Sequence, residues 1–96
     1  MAQASEKIWG AAALSVEAHA YAREGRRLVS HGELWEYKDR IAAELGDWAG
    51  EAWFAASSMH TNFYGGWATK EDVRRALRAV SRLVRAVAQA VTQAPV

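Results

Sequence analysis

Apolar positions recur along this chain at helical spacing, and four stretches carry the pattern. Over residues 4–23, Ile8, Ala12, Val16 and His19 fall on one face of a 3.6-residue helix. Leu14, Ala18 and Tyr21 form a second apolar strip a quarter-turn or more away, and polar residues are confined to Glu6, Lys7, Glu17 and the end. A helix that is apolar on two sides is touched by more than one neighbour. Gly25 supplies its stop. The run "SHGE", Ser30 to Glu33, is a capping box that opens a second helix over 31–45. Leu34, Lys38, Ile41 and Leu45 share one line on it, widened by Trp35 and Ala42. Gly46 ends that helix and Asp47 caps a third over 47–60, striped by Trp48, Ala52, Ala55 and Met59 and widened by Trp53 and Ala56. The Gly65-Gly66 pair then breaks the chain, and Thr69 with Asp72 makes a second capping box. The last helix spans 70–91, where Val73, Leu77, Val80, Val84, Val87 and Val91 repeat as a heptad seam.

Short connections between amphipathic helices imply antiparallel neighbours. The expected fold is therefore all-α: one domain over 1–96, built as an up-down antiparallel four-helix bundle. Five Trp in 96 residues, two apolar strips on the first helix and a Val-rich seam on the last exceed what a short bundle can bury alone. A homodimer that completes the core is expected, against the alternative of a monomer with a tightly packed Trp core. Composition changes little here. Hydrophobic residues at 51% and charged residues at 24% are globular values, and the one Pro lies near the C-terminus, where it breaks no helix. The chain has no Cys, hence no disulfide framework and no thiolate metal site. Neither a signal peptide nor a membrane-spanning run is read, so a cytoplasmic protein without a membrane partner is expected.

A net charge of +1 does not by itself argue for nucleic acid, but nine of the twelve basic residues are Arg. Arg74, Arg75, Arg78, Arg82 and Arg85 fall within about 100° of the helical wheel, nearly opposite the Val seam. Only Glu71 offers a local counter-charge. The stripe reads either as a track for phosphates or as a solvated face paired with acids elsewhere. No aromatic residue interleaves it. His19 reads as a buried or boundary residue, and His31 as the first residue of its helix. The three histidines lack metal-ligand spacing and have no carboxylate in register, so no metal or other cofactor is expected. Ser57 and Ser58 precede His60 without the geometry of a nucleophile and its base.

The stretches "QASEKIWGAAALSVEAHA", "LVSHGELWEYKDRIAAELGD" and "MHTNFYGGW" occur here in this order. In them the chain resembles the archaeal PaREP family, placed within the HEPN (higher eukaryote and prokaryote nucleotide-binding) superfamily. The similarity runs over 3–85 and is closest at Ser30-His31 with Glu33-Leu34-Trp35, and at His60 with Asn62-Phe63-Tyr64 and Trp67. It implies a HEPN-type helical bundle, commonly homodimeric. Relatives carry a further helix ahead of "QASEKIWG", so the resemblance implies a short form in which the first helix is less covered. Many HEPN proteins are metal-independent ribonucleases whose motif is an Arg, four to six intervening residues, then a His. Others bind nucleotides or accompany a nucleotidyltransferase.

Arg26 and His31 fit that spacing, but they flank the first turn rather than the late-helix position. Before His60 the same spacing meets Trp53, Phe54 and Ala55, none of them Arg. The first expectation is therefore a non-catalytic binding or accessory module. Its partners would be nucleotide, RNA or a nucleotidyltransferase-type protein, in a setting such as a toxin–antitoxin pair. Its ligand residues would be Arg74, Arg75, Arg78, Arg82 and Arg85 with His60, Asn62 and Tyr64. The alternatives are a divergent metal-independent endoribonuclease centred on His60 with Tyr64, and a purely structural oligomeric scaffold.

Overall fold

A computed structural model describes residues 2–92, with side chains for 4–61 and 66–92. Four helices follow in order: α1, Ala2–Glu24; α2, His31–Leu45; α3, Asp47–Gly65; α4, Lys70–Thr92. Their starts and stops have local causes. Glu33 N–H donates to Ser30 Oγ at 3.1 Å, while Glu33 Oε1 accepts from Val29 N–H at 3.0 Å. Asp72 N–H donates to Thr69 Oγ1 and Thr69 N–H donates back to Asp72 Oδ2, which makes the second box fully reciprocal. α1 stops where Gly25 turns left-handed, at φ 62°, and returns its N–H to the Tyr21 carbonyl.

α3 is longer than its stripe predicts. It continues past His60 to Gly65, so His60 sits inside a helix and not at its end. Gly66, at φ 70°, makes the turn that the Gly pair foretells. Asp47 is the first residue of α3, where a carboxylate suits the helix dipole. Gly46 forms the whole corner between α2 and α3, and the Trp48 indole N–H donates to the Leu45 carbonyl across it.

α1 and α3 form the central pair, and each packs against both α2 and α4. α3 runs against its neighbours: Ser5 meets Met59, Trp35 meets Phe54, and Trp48 meets Arg82. These pairings fit the expected antiparallel hairpins. The first connection differs. α2 starts beside Trp9, through His31, and ends beside His19 and Arg23, through Glu44, so it climbs in the same sense as α1. Residues 26–29 run back along Glu17 and Tyr21 to allow this, with Leu28 buried beneath them.

Trp53, Tyr37, Ile41, Leu83, Val16 and Val87 are the largest fully buried side chains. Tyr37 was not on the predicted face of α2. On α4 the buried face is Val73, Ala76, Val80, Leu83 and Val87, so the predicted seam is rotated. Leu77 is 52% exposed as a result, and Val84 and Val91 are only half-buried. Among the described residues no helix is long and apolar enough to cross a membrane.

Candidate functional site

Three polar assemblies stand out. The first surrounds His60. Because α1 and α3 run antiparallel, Glu6 and Trp9, one turn apart on α1, both reach it. The imidazole stacks on Trp9 at 4.7 Å with planes 20° apart, and its Nδ1 lies 3.4 Å from Glu6 Oε2. His31, at the first turn of α2, stands edge-on to His60 at 5.7 Å and to Trp9 at 5.6 Å. Buried Trp53 closes the inner side against Trp9, at 4.9 Å. His60 therefore has a carboxylate partner that no helical register reveals, since it comes from 54 residues away.

The second assembly is the Arg face of α4, which divides into three parts. Arg74, Arg75 and Arg78 converge on Glu71 at 3.8, 3.8 and 3.7 Å, and all four side chains are half exposed or more. Three guanidinium groups share the Glu71 carboxylate there, with Asp72 as a further negative charge beside Arg75, which leaves an excess of positive charge. Arg82 lies 3.9 Å above the Trp48 ring, a cation–π stack that the chain's linear order hides. Arg85 lies apart from these, lining a groove with Lys7 between α1 and α4.

Arg75 also lines a larger groove, of about 680 Å³, between α3 and α4. Its floor is apolar, from Ala55, Met59, Ala76 and Ala79, and its rim carries Ser58, Trp67 and the Asp72 carboxylate. Trp67 is 80% exposed, an unusual state for the largest side chain in a small bundle. His60 points elsewhere: by the 3.6-residue period it lies roughly 160° around α3 from the groove side. The predicted ligand set is thus not one site. Arg74, Arg75 and Arg78 are together, Arg82 and Arg85 are separate, and His60 belongs to another face. The side chains of Asn62 and Tyr64 lie outside the described residues. The spacing-matched Arg26 turns to Glu33, at 3.6 Å.

The third assembly was missed from sequence. His19, 2% exposed, places Nδ1 2.8 Å from the Tyr37 hydroxyl and Nε2 2.9 Å from Glu44 Oε1. An ionised Glu44 only accepts, so Nε2–H donates to it, and a neutral imidazole then accepts the Tyr37 proton at Nδ1. Arg23 forks onto Glu44 at 2.7 and 3.2 Å and donates to the Ala90 carbonyl at the end of α4. The Arg23 guanidinium, with help from His19, holds the Glu44 carboxyl below its ordinary range, and burial pushes the Tyr37 phenol up. The network clamps α1, α2 and α4 at one end of the bundle. Among the described residues no group of three His, Cys, Asp or Glu side chains is placed to hold a metal ion.

The molecule is thus a small all-α bundle with an aromatic-rimmed groove beside an Arg cluster on one flank and an imidazole–carboxylate cluster on another. By sequence the chain belongs to the archaeal PaREP1/PaREP8 family, whose model matches residues 1–84. No curated protein and no solved structure matches it.

Proposed function

We propose that this protein is a HEPN-like, non-catalytic binding or accessory module that acts as a homodimer and takes a phosphate-bearing ligand, nucleotide or RNA. The observation that carries this reading is the cluster of Arg74, Arg75 and Arg78 around Glu71, of which Arg75 also lines the α3–α4 groove. Counting Lys70, Glu71 and Asp72 at the start of the same helix, four cations against two carboxylates leave a local charge of +2. A planar base suits the apolar floor and the exposed Trp67, and a phosphate suits Arg75 beside them. A nucleotidyltransferase-type protein is the partner class that such a module would accompany. Equilibrium binding of ATP and of a short single-stranded RNA at low salt tests it. Wild type should bind, and the triple variant Arg74→Gln, Arg75→Gln, Arg78→Gln should lose most of that affinity.

A second reading is favoured by a different observation. Glu6, His60 and His31 bring a carboxylate and two imidazoles together, the elements of acid–base cleavage of RNA. On that reading the protein is a metal-independent endoribonuclease centred on His60, with Tyr64 near by in sequence. RNA cleavage that persists in EDTA and disappears in His60→Ala would replace the first reading by this one.

A further inference from the structure

Among the described residues, four of the six large exposed hydrophobic side chains, Leu14, Tyr21, Val29 and Leu77, belong to one side of the bundle. Leu14 and Tyr21 lie on the outer strip of α1. Val29 joins Tyr21 along one edge of that helix, and Leu77 joins Lys7 along the other. A soluble helix ordinarily turns a polar face outward, whereas one that is apolar all round is covered. The outer strip of α1 runs Gly10, Ala11, Leu14, Ala18, Tyr21, with only Lys7 and Glu17 to break it. This is a face built to be covered.

We infer that its cover is a second copy of this chain, packed with α1 antiparallel to the partner's α1 about a two-fold axis level with Ala12. The inference rests on the dimeric reading above and assigns it a surface. The strip is self-complementary about that level. Lys7 and Glu17 are equidistant from residue 12, so each Lys7 comes level with the partner's Glu17, at both ends of the interface. Leu14 and Gly10 are equidistant too, so each Leu14 comes level with the partner's Gly10. A Cβ at Gly10 would meet nothing within 4 Å, which leaves room there for the incoming leucine. The size also fits. The 23 residues of α1 span about 34 Å, and with the flank of α4 the face is about 20 Å wide. That is on the order of 700 Å² per protomer, close to the ~800 Å² a side of a stable interface.

Sedimentation of the full chain at about 10 μM tests this, since dimer mass depends on protomer concentration. Wild type should sediment at twice 10.6 kDa, and Leu14→Glu at the monomer mass with unchanged helical circular dichroism. Lys7→Glu and Glu17→Lys should each weaken the dimer roughly tenfold, because each sets two like-charge pairs across the axis. The double reversal should restore it. A wild type that stays monomeric to ~100 μM overturns both the dimer and its surface. A dimer indifferent to Leu14→Glu overturns the surface alone and leaves the dimer standing. Single reversals that match the double variant overturn the antiparallel register.

Discussion

Replacing Tyr37 by Phe removes one oxygen atom from the clamp between α1 and α2 and leaves the packing volume almost unchanged. The hydroxyl sits 2.8 Å from His19 Nδ1, and the two residues are 1% and 2% exposed. Without it the ring nitrogen keeps its burial and loses its partner, in a place with little room for water. An unsatisfied buried acceptor costs about 1–3 kcal/mol, more than the ~1 kcal/mol net worth of an ordinary hydrogen bond. For a chain of 96 residues each kcal/mol lowers the melting temperature by about 4–8 °C, so a loss of about 1–3 kcal/mol should lower it by roughly 4–24 °C. Urea denaturation followed by Trp fluorescence and circular dichroism, at fixed protomer concentration, measures the change directly. A double-mutant cycle sharpens it. His19→Phe with Tyr37→Phe should cost at least about 1 kcal/mol less than the sum of the single variants, because the orphaned partner is then gone. A Tyr37→Phe variant within about 0.5 kcal/mol of wild type, or additive single changes, would refute the clamp.

Three further outcomes follow from the geometry. Asp72, Glu33 and Glu44 are all held below their ordinary values, by the Thr69 N–H, the Val29 N–H and the Arg23 guanidinium respectively. A depressed folded value contributes stability above the unfolded pKa, near 3.8 for Asp and 4.5 for Glu, and loses it as pH falls through the folded one. Melting temperature should therefore hold above pH 5 and fall below about pH 4, with a shallower fall in Asp72→Asn. Gly46→Ala should destabilise by more than about 1 kcal/mol in the same urea assay, because its φ is 120° and the new Cβ would lie 3.0 Å from the Trp48 ring. Glu71→Gln frees three guanidinium groups from their shared carboxylate, so phosphate-ligand affinity at low salt should rise a few-fold by fluorescence anisotropy.

Sequence and structure agree where the cause is local. Ser30 with Glu33 and Thr69 with Asp72 mark helix starts because each box closes within four residues. The seam of α4 was legible in period and shifted in phase. Leu77 and Leu83 stand at the two edges of one broad apolar arc, and only packing against α1 and α3 decides which edge is covered. The parallel course of α1 and α2 was hidden for a related reason. Six residues, 25–30, span about 20 Å when extended, enough either to turn a hairpin or to return along half of α1. The candidate sites show the same limit. Glu71 beneath Arg74, Arg75 and Arg78 is a helical neighbour and was visible. The pairs Glu6–His60, His19–Glu44 and Trp48–Arg82 join separate helices, and no spacing announces them.

The reading of Arg74, Arg75 and Arg78 as a phosphate-binding face is tested most directly by the salt dependence of RNA affinity. If all three contact phosphates of a single strand, log K should fall with log salt at a slope of about −2, near −0.7 for each contact. The triple Gln variant should bring that slope close to zero together with the affinity. A wild type that binds no RNA or nucleotide at low salt, or a triple variant that keeps the wild-type slope, would contradict the account.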